Sequence, residues 1–153
     1  MEYLRIAEIL TNNAECRLIG SLSLMFQHPE ILERKPSDAD FYASDEIENI
    51  LNIIGILKDN GYEVYSWQDR IDEKFDFGKL KGRFYIRGIC DGKNIDITYE
   101  IEGLNYFEMK VHETEIQGIK MYDTEGIMIL LSKSDKEKNK RQLERLAKKT
   151  GFQ

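Results

Sequence analysis

The stretch Ser37-Asp38-Ala39-Asp40-Phe41-Tyr42 decides how the rest of this chain is read. It follows Pro36 and runs into apolar residues, so the spacing predicts a strand over residues 38–43. Side chains alternate between the two faces of a strand. Asp38 and Asp40 then share one face, and Ala39 and Phe41 turn the other way, toward a core. Two carboxylates held that close repel and raise each other's pKa. A cation that prefers hard oxygen ligands, Mg²⁺ for example, neutralises both. A lone Asp-x-Asp in an acidic chain is more often a solvated turn, so the motif needs support from other stretches.

Composition sets the frame. The 153 residues predict one domain, 1–153, with an α/β core over 1–122 and a helical tail over 123–153. The net charge is −6, which argues against general binding to a phosphate backbone. A polyanionic partner must be met by a local patch or through metal ions. Cys16 and Cys90 lie far apart with no Cys-x-x-Cys spacing and no His cluster, so they are read as reduced thiols rather than zinc ligands. The first ten residues carry Glu2, Arg5 and Glu8, unlike a signal peptide. No run approaches the roughly 20 apolar residues that a membrane span requires. The expectation is a cytoplasmic protein with no membrane partner.

Outward from the motif, apolar spacing predicts a helix over 2–12, a strand over 15–19, and a helix N-capped by Ser21 that stops before Pro29. Residues 29–37 form a loop or a helical turn. Beyond the motif, Ser44 caps a helix to residue 60, and Gly61 ends it. Residues 62–67 alternate as a strand, and 69–79 are a charged loop. The clearest hairpin is 80–90 with 93–101 around Asp91-Gly92. Another strand pair falls within 106–122, with Gly118 near its turn. Residues 124–132 and 134–149 are helical, and Ser134 with Glu137 matches a capping box. The sum is an α+β fold, a mixed β-sheet with helices packed on it and a short C-terminal helical tail.

Two further stretches lend support. In 94–99, Ile95, Ile97 and Tyr99 share the core face, which leaves Asp96 on the opposite face with Asn94 and Thr98. Gly20-Ser21 sits at a strand-to-helix turn, where a glycine admits a ligand to the backbone and a helix N-terminus favours phosphate.

Strand, Gly-Ser, helix, a strand with Asp-x-Asp, then a later strand with one Asp: this order resembles the nucleotidyltransferase superfamily, typified by the DNA polymerase beta-like palm. The likeness spans roughly residues 1–100, and small bacterial members are nearest. It implies a nucleotidyltransferase-like fold and a metal-dependent transfer of a nucleoside monophosphate from a nucleoside triphosphate to an acceptor hydroxyl. Asp38, Asp40 and Asp96 would be the catalytic residues and the ligands of two Mg²⁺ or Mn²⁺ ions, with Asp96 also able to accept the hydroxyl's proton. Gly20 and Ser21 would bind the nucleotide's phosphates. The acceptor is left open between a small molecule, a protein and an RNA end.

Two features depart from the family pattern. Sixteen residues separate Ser21 from Asp38, a longer gap than usual, and Ala39 is smaller than the aliphatic residue the family generally places there. A different class of function also fits this fold: a non-catalytic binding module, such as an antitoxin or the partner subunit of a toxin–antitoxin pair. A homodimer or a partner protein is compatible with either. In the tail, Lys133 or Arg141 is a candidate for reaching a triphosphate. Arg83 and Arg87, four apart, are placed on one strand face, from which they could reach a nucleotide or acceptor, although exposed strand arginines are commoner. His28, His112, Trp67, Phe84, Tyr85, Tyr106 and Phe107 are read as structural.

Overall fold

A computed structural model of the chain describes residues 2–151. Among these residues the strands form one mixed sheet, ordered β4-β3-β5-β6-β2-β1-β8-β7. Its centre is built from β1 (Cys16–Ile19), β2 (Ala39–Ala43), β6 (Lys93–Thr98) and β8 (Ile119–Tyr122). β2 runs antiparallel to β1 and parallel to β6, and β1 runs parallel to β8. Outside them lie β5 (Tyr85–Cys90), β3 (Glu63–Ser66) and β4 (Asp69–Arg70) on one flank and β7 (Glu113–Ile116) on the other. No helix among the described residues is long and apolar enough to cross a membrane.

Side-chain alternation sorts the sheet into two unlike faces. Ala39, Phe41, Leu18, Ile95, Ile97, Ile86 and Met121 all turn to one face and are buried. Two helices cover that face. Helix α1 (Glu2–Asn13) brings Ile6 and Leu10, and α3 (Ile47–Asp59) brings Ile50, Ile53, Ile54 and Leu57. Their apolar residues recur at helical spacing, so each helix buries one stripe and leaves its charged side in water. The other face carries Asp40, Tyr42, Asp96, Thr98, Arg87 and Tyr122, and it is here that the site forms.

The hairpin turn has Asp91 at φ 50° and Gly92 at φ 75°, both left-handed, as a tight two-residue turn between right-twisted strands requires. The second pair turns the same way at Gln117 (φ 53°) and Gly118 (φ 80°), but its strands cover only Glu113–Ile116 and Ile119–Tyr122. A 3₁₀ turn (Glu108–His112) occupies part of the span expected to be strand.

Three expected helix starts are placed differently. The second helix, α2, is Gly20–Gln27 with Ile19 at its N-cap, so Ser21 lies inside its first turn instead of capping it. Helix α3 begins at Ile47, and Ser44 instead accepts from the Glu46 N–H in a local turn. The Ser134–Glu137 capping box does not form. Ser134 accepts from the Lys136 N–H and the Asn139 amide, and the last helix, α5 (Glu137–Thr150), starts later. Ser and Asp side chains compete with the backbone in this way wherever a turn is available. The charged segment 69–79, expected to be loop, contains the short β4 and most of a 3₁₀ turn at Phe77–Leu80.

The tail helices pack back onto the site face. Helix α4 (Thr124–Ser132) is capped by Asp123, whose carboxylate accepts from the Gly126 N–H at 2.9 Å. Gly126 sits so close to β8 that a Cβ there would lie 2.7 Å from the Tyr122 Cβ. Leu146 of α5 is fully buried in a small cluster with Leu24, Ile31, Ile127 and Leu131. This cluster holds α5 beside α2 and across the mouth of the site.

Candidate active site

Asp40 sits mid-strand on β2 and Asp96 mid-strand on β6. The two strands pair in parallel, with Asp40 and Asp96 as register partners. Adjacent strands lie about 4.8 Å apart, so the two carboxylates stand side by side on one face. Asp38 precedes β2 and is exposed at the rim. Burial chiefly, then the nearby charges of Asp96 and Asp38, push the Asp40 carboxyl up to about 6, and Lys136 and Lys138 oppose the shift. No hydrogen bond or ion pair to the Asp40 side chain forms among the described residues.

Gly20 explains how the chain reaches this carboxylate. It follows β1 directly and has φ 72°, a left-handed backbone that suits glycine. A Cβ at this position would fall 2.8 Å from the Asp40 Oδ2, closer than any real contact. The missing side chain therefore lets the start of α2 lie on Asp40. Ser21 follows, and its hydroxyl accepts from the Lys138 ammonium at 3.4 Å.

Arg87, which the strand pattern leaves able to reach a nucleotide or acceptor, is central to the site. Its Nε donates to the Asp96 Oδ1 at 2.7 Å and its guanidinium to Oδ2 at 3.1 Å, a two-point pair across the hairpin. Arg83 does not share its face. The left-handed Phe84 (φ 69°) interrupts the strand between them, and Arg83 turns away to Asp69 and the Trp67 ring. Of the tail cations, Lys133, Lys136 and Lys138 reach the site, whereas Arg141 is held by Glu33 at 2.6 Å. His28 and His112 stay outside the site. Tyr106 is core, and Trp67, Phe84 and Phe107 are surface rings.

These groups line a cleft of about 480 Å³. Its floor is Asp40, Asp96, Arg87 and Thr98, with the Gly20-Ser21 turn on one wall and Lys133, Lys136 and Lys138 on another. Tyr85, Ile101 and Leu130 make an apolar side. A second cleft, of about 560 Å³, meets the first at Ser21, Asp40 and Lys138 and contains Asp38.

The residues present fit a divalent cation in one respect and leave it incomplete in another. A half-buried, unpartnered carboxylate with two more nearby is a hard-oxygen donor set that gains from a cation. Among the described residues, however, no three Asp, Glu, His or Cys side chains gather closely enough to cage an ion, because Asp38 lies at the rim and Arg87 occupies both oxygens of Asp96.

By sequence, no protein-family model and no curated protein matches the chain. By structure the likeness is clear. A polyadenylate synthase of Megavirus superposes over 97% of this chain with a TM-score of 0.58 and 14% identity. A candidate nucleotidyltransferase from Helicobacter pylori covers 96% of it at 0.54 and 18%, and JHP933 from the same organism 96% at 0.52 and 15%. The chain spans 31% of the viral protein's length and 66% and 64% of the two bacterial ones. The fold is thus nucleotidyltransferase-like: an α+β mixed sheet shared with these proteins.

Proposed function

We propose that this chain is a metal-dependent nucleotidyltransferase that transfers a nucleoside monophosphate from a nucleoside triphosphate to an acceptor hydroxyl. The observation that carries the reading is the register of Asp40 against Asp96 beneath the Gly20-Ser21 turn. Asp40, Asp96 and Asp38 would hold Mg²⁺ or Mn²⁺. Such ions, when bound, neutralise phosphate charge and lower the pKa of the attacking hydroxyl.

The chain's own groups do the rest. Ser21 and the free N–H groups of the first turn of α2 bind phosphate oxygens, helped by the helix dipole. Lys133, Lys136 and Lys138 add charge on the same wall. Tyr85, Ile101 and Leu130 offer the nucleoside an apolar surface. In-line attack forms a bond from the acceptor oxygen to the α-phosphorus and breaks the bond to the bridging oxygen, so pyrophosphate leaves. The acceptor proton passes to Asp96 or to water. Alignment and fixed charge supply most of the acceleration. The free thiols of Cys16 and Cys90 support a reducing, cytoplasmic setting.

One observation favours a second reading, a nucleotide-binding module without turnover: Arg87 already neutralises Asp96. A screen of the four triphosphates with Mg²⁺ or Mn²⁺ tests both readings. Both predict metal-dependent stabilisation that is lost in Asp38→Ala and Asp40→Ala. Pyrophosphate release with an acceptor present supports the transferase. Tight nucleotide binding with no release supports the module.

A further inference from the structure

The second cleft differs in chemistry from the first. It is lined by the 33–38 loop and by α5, and its walls carry Arg34, Lys35, Lys138 and Arg141. The whole chain carries −6, so four cations around one cleft run against its bulk. The acidic residues there are largely committed. Glu33 is gripped by Arg141 at 2.6 Å and approached by Arg145 at 3.7 Å, which holds its carboxyl below the usual range. Asp38 and Asp40 belong to the proposed metal set. Arg34 and Lys35, by contrast, form no ion pair among the described residues. The cleft also has an amide. Gln142 is only 2% exposed and lines it, and its side-chain amide forms no hydrogen bond with any described residue. An amide open to the cleft can donate to or accept from a bound group.

The first cleft already supplies an apolar surface and a phosphate-binding turn for a nucleotide. The second meets it at Ser21, Asp40 and Lys138 and contains Asp38, so a group bound there lies beside the proposed metal set. We propose that this second cleft binds the acceptor, and that the acceptor presents its hydroxyl beside a phosphate, as the 3′ end of an RNA strand does. Arg34, Lys35 and Lys138 take the phosphate, and the Gln142 amide takes a neighbouring polar group. This rests on the transferase reading above and narrows its acceptor to an anion. A cationic aminosugar would be repelled.

The test separates the two clefts. Binding of a 5′-fluorescein oligoribonucleotide of about ten residues with a free 3′ hydroxyl is followed by anisotropy at several salt concentrations. Mg²⁺–triphosphate binding is followed separately by calorimetry. In Arg34→Ala/Lys35→Ala, oligonucleotide binding should weaken roughly tenfold at about 50 mM salt. Its logarithmic salt slope should flatten by roughly 1.4, two single-strand phosphate contacts' worth. Both side chains are exposed, so an unchanged melting temperature is expected to verify folding. Competition by a nucleoside 5′-monophosphate would identify a small phosphorylated acceptor, and failure to compete a strand end; either supports the proposal. Equal oligonucleotide binding by wild type and variant overturns it while leaving the transferase reading intact. So does weakened triphosphate binding in its place, which would give the cleft to the leaving pyrophosphate, or preferential binding of an aminosugar. Failure of the wild type to bind any triphosphate with metal sinks the reading beneath it instead.

Discussion

Asp40 should make the metal-free protein less stable than it would be with a neutral side chain, and the size of the effect follows from the site. Its carboxyl titrates at about 6 in the folded chain, against 3.8 in a solvated one. That gap corresponds to about 3 kcal/mol, and the side chain's partial exposure reduces it to roughly 2 kcal/mol. The sign follows from proton linkage. Because the folded pKa is raised, the folded state holds its proton more tightly than the unfolded one between pH 4 and 6. Stability is therefore favoured below the unfolded pKa and falls as pH rises through the folded value. Asp40→Asn removes the charge at similar volume. In EDTA at pH 8 it should stabilise the protein by roughly 2 kcal/mol, or about 4–8 °C in melting temperature for a chain of this length. At pH 4 the two proteins should melt together. Urea unfolding or differential scanning fluorimetry at both pH values measures this directly. Mg²⁺ should raise the melting temperature of the wild type at pH 8 and leave Asp40→Asn unmoved. A destabilised Asn variant, or a stabilisation of equal size at pH 4 and pH 8, would refute the picture of an unpartnered carboxylate among like charges.

Other expectations follow from packing and pairing. Arg87→Ala should free Asp96 and tighten Mn²⁺ binding several-fold without nucleotide, read by electron paramagnetic resonance; unchanged Mn²⁺ affinity would show that the Arg87–Asp96 pair does not compete with metal. Gly20→Ala should cost about 2 kcal/mol or more, from left-handed strain and the clash with Asp40, and should abolish nucleotide-dependent thermal shifts. Gly55→Ala, on an exposed turn of α3 with nothing within 4 Å, should instead stabilise by about 0.5–1 kcal/mol in the same assay. Leu146→Ala should cost about 3 kcal/mol in urea unfolding, since it empties the small core that holds α5 to α2 and α4.

Much of this protein was written locally. Alternation over 39–43 and 94–99 sorted core residues from site residues, and Asp40 and Asp96 lie on the face that alternation assigned them, because a period of two is intrinsic to an extended chain. The Asp91-Gly92 turn also contained more than was read from it. Counting equally back from a two-residue turn sets Arg87 opposite Asp96, as the register shows. Helix starts were less legible, since Ser21, Ser44 and Ser134 had turn partners nearby that a pattern of residue types does not reveal. Only the tertiary structure decided the rest. That β2 lies beside β6 in parallel, at the register that sets Asp40 against Asp96, depends on contacts between segments more than fifty residues apart. The same holds for Lys136, Lys138 and Gln142, which reach the two clefts because Leu146 anchors α5 across them. Periodicity along a chain specifies which way a side chain points from its own element; which element it then faces is settled by how the buried stripes pack together.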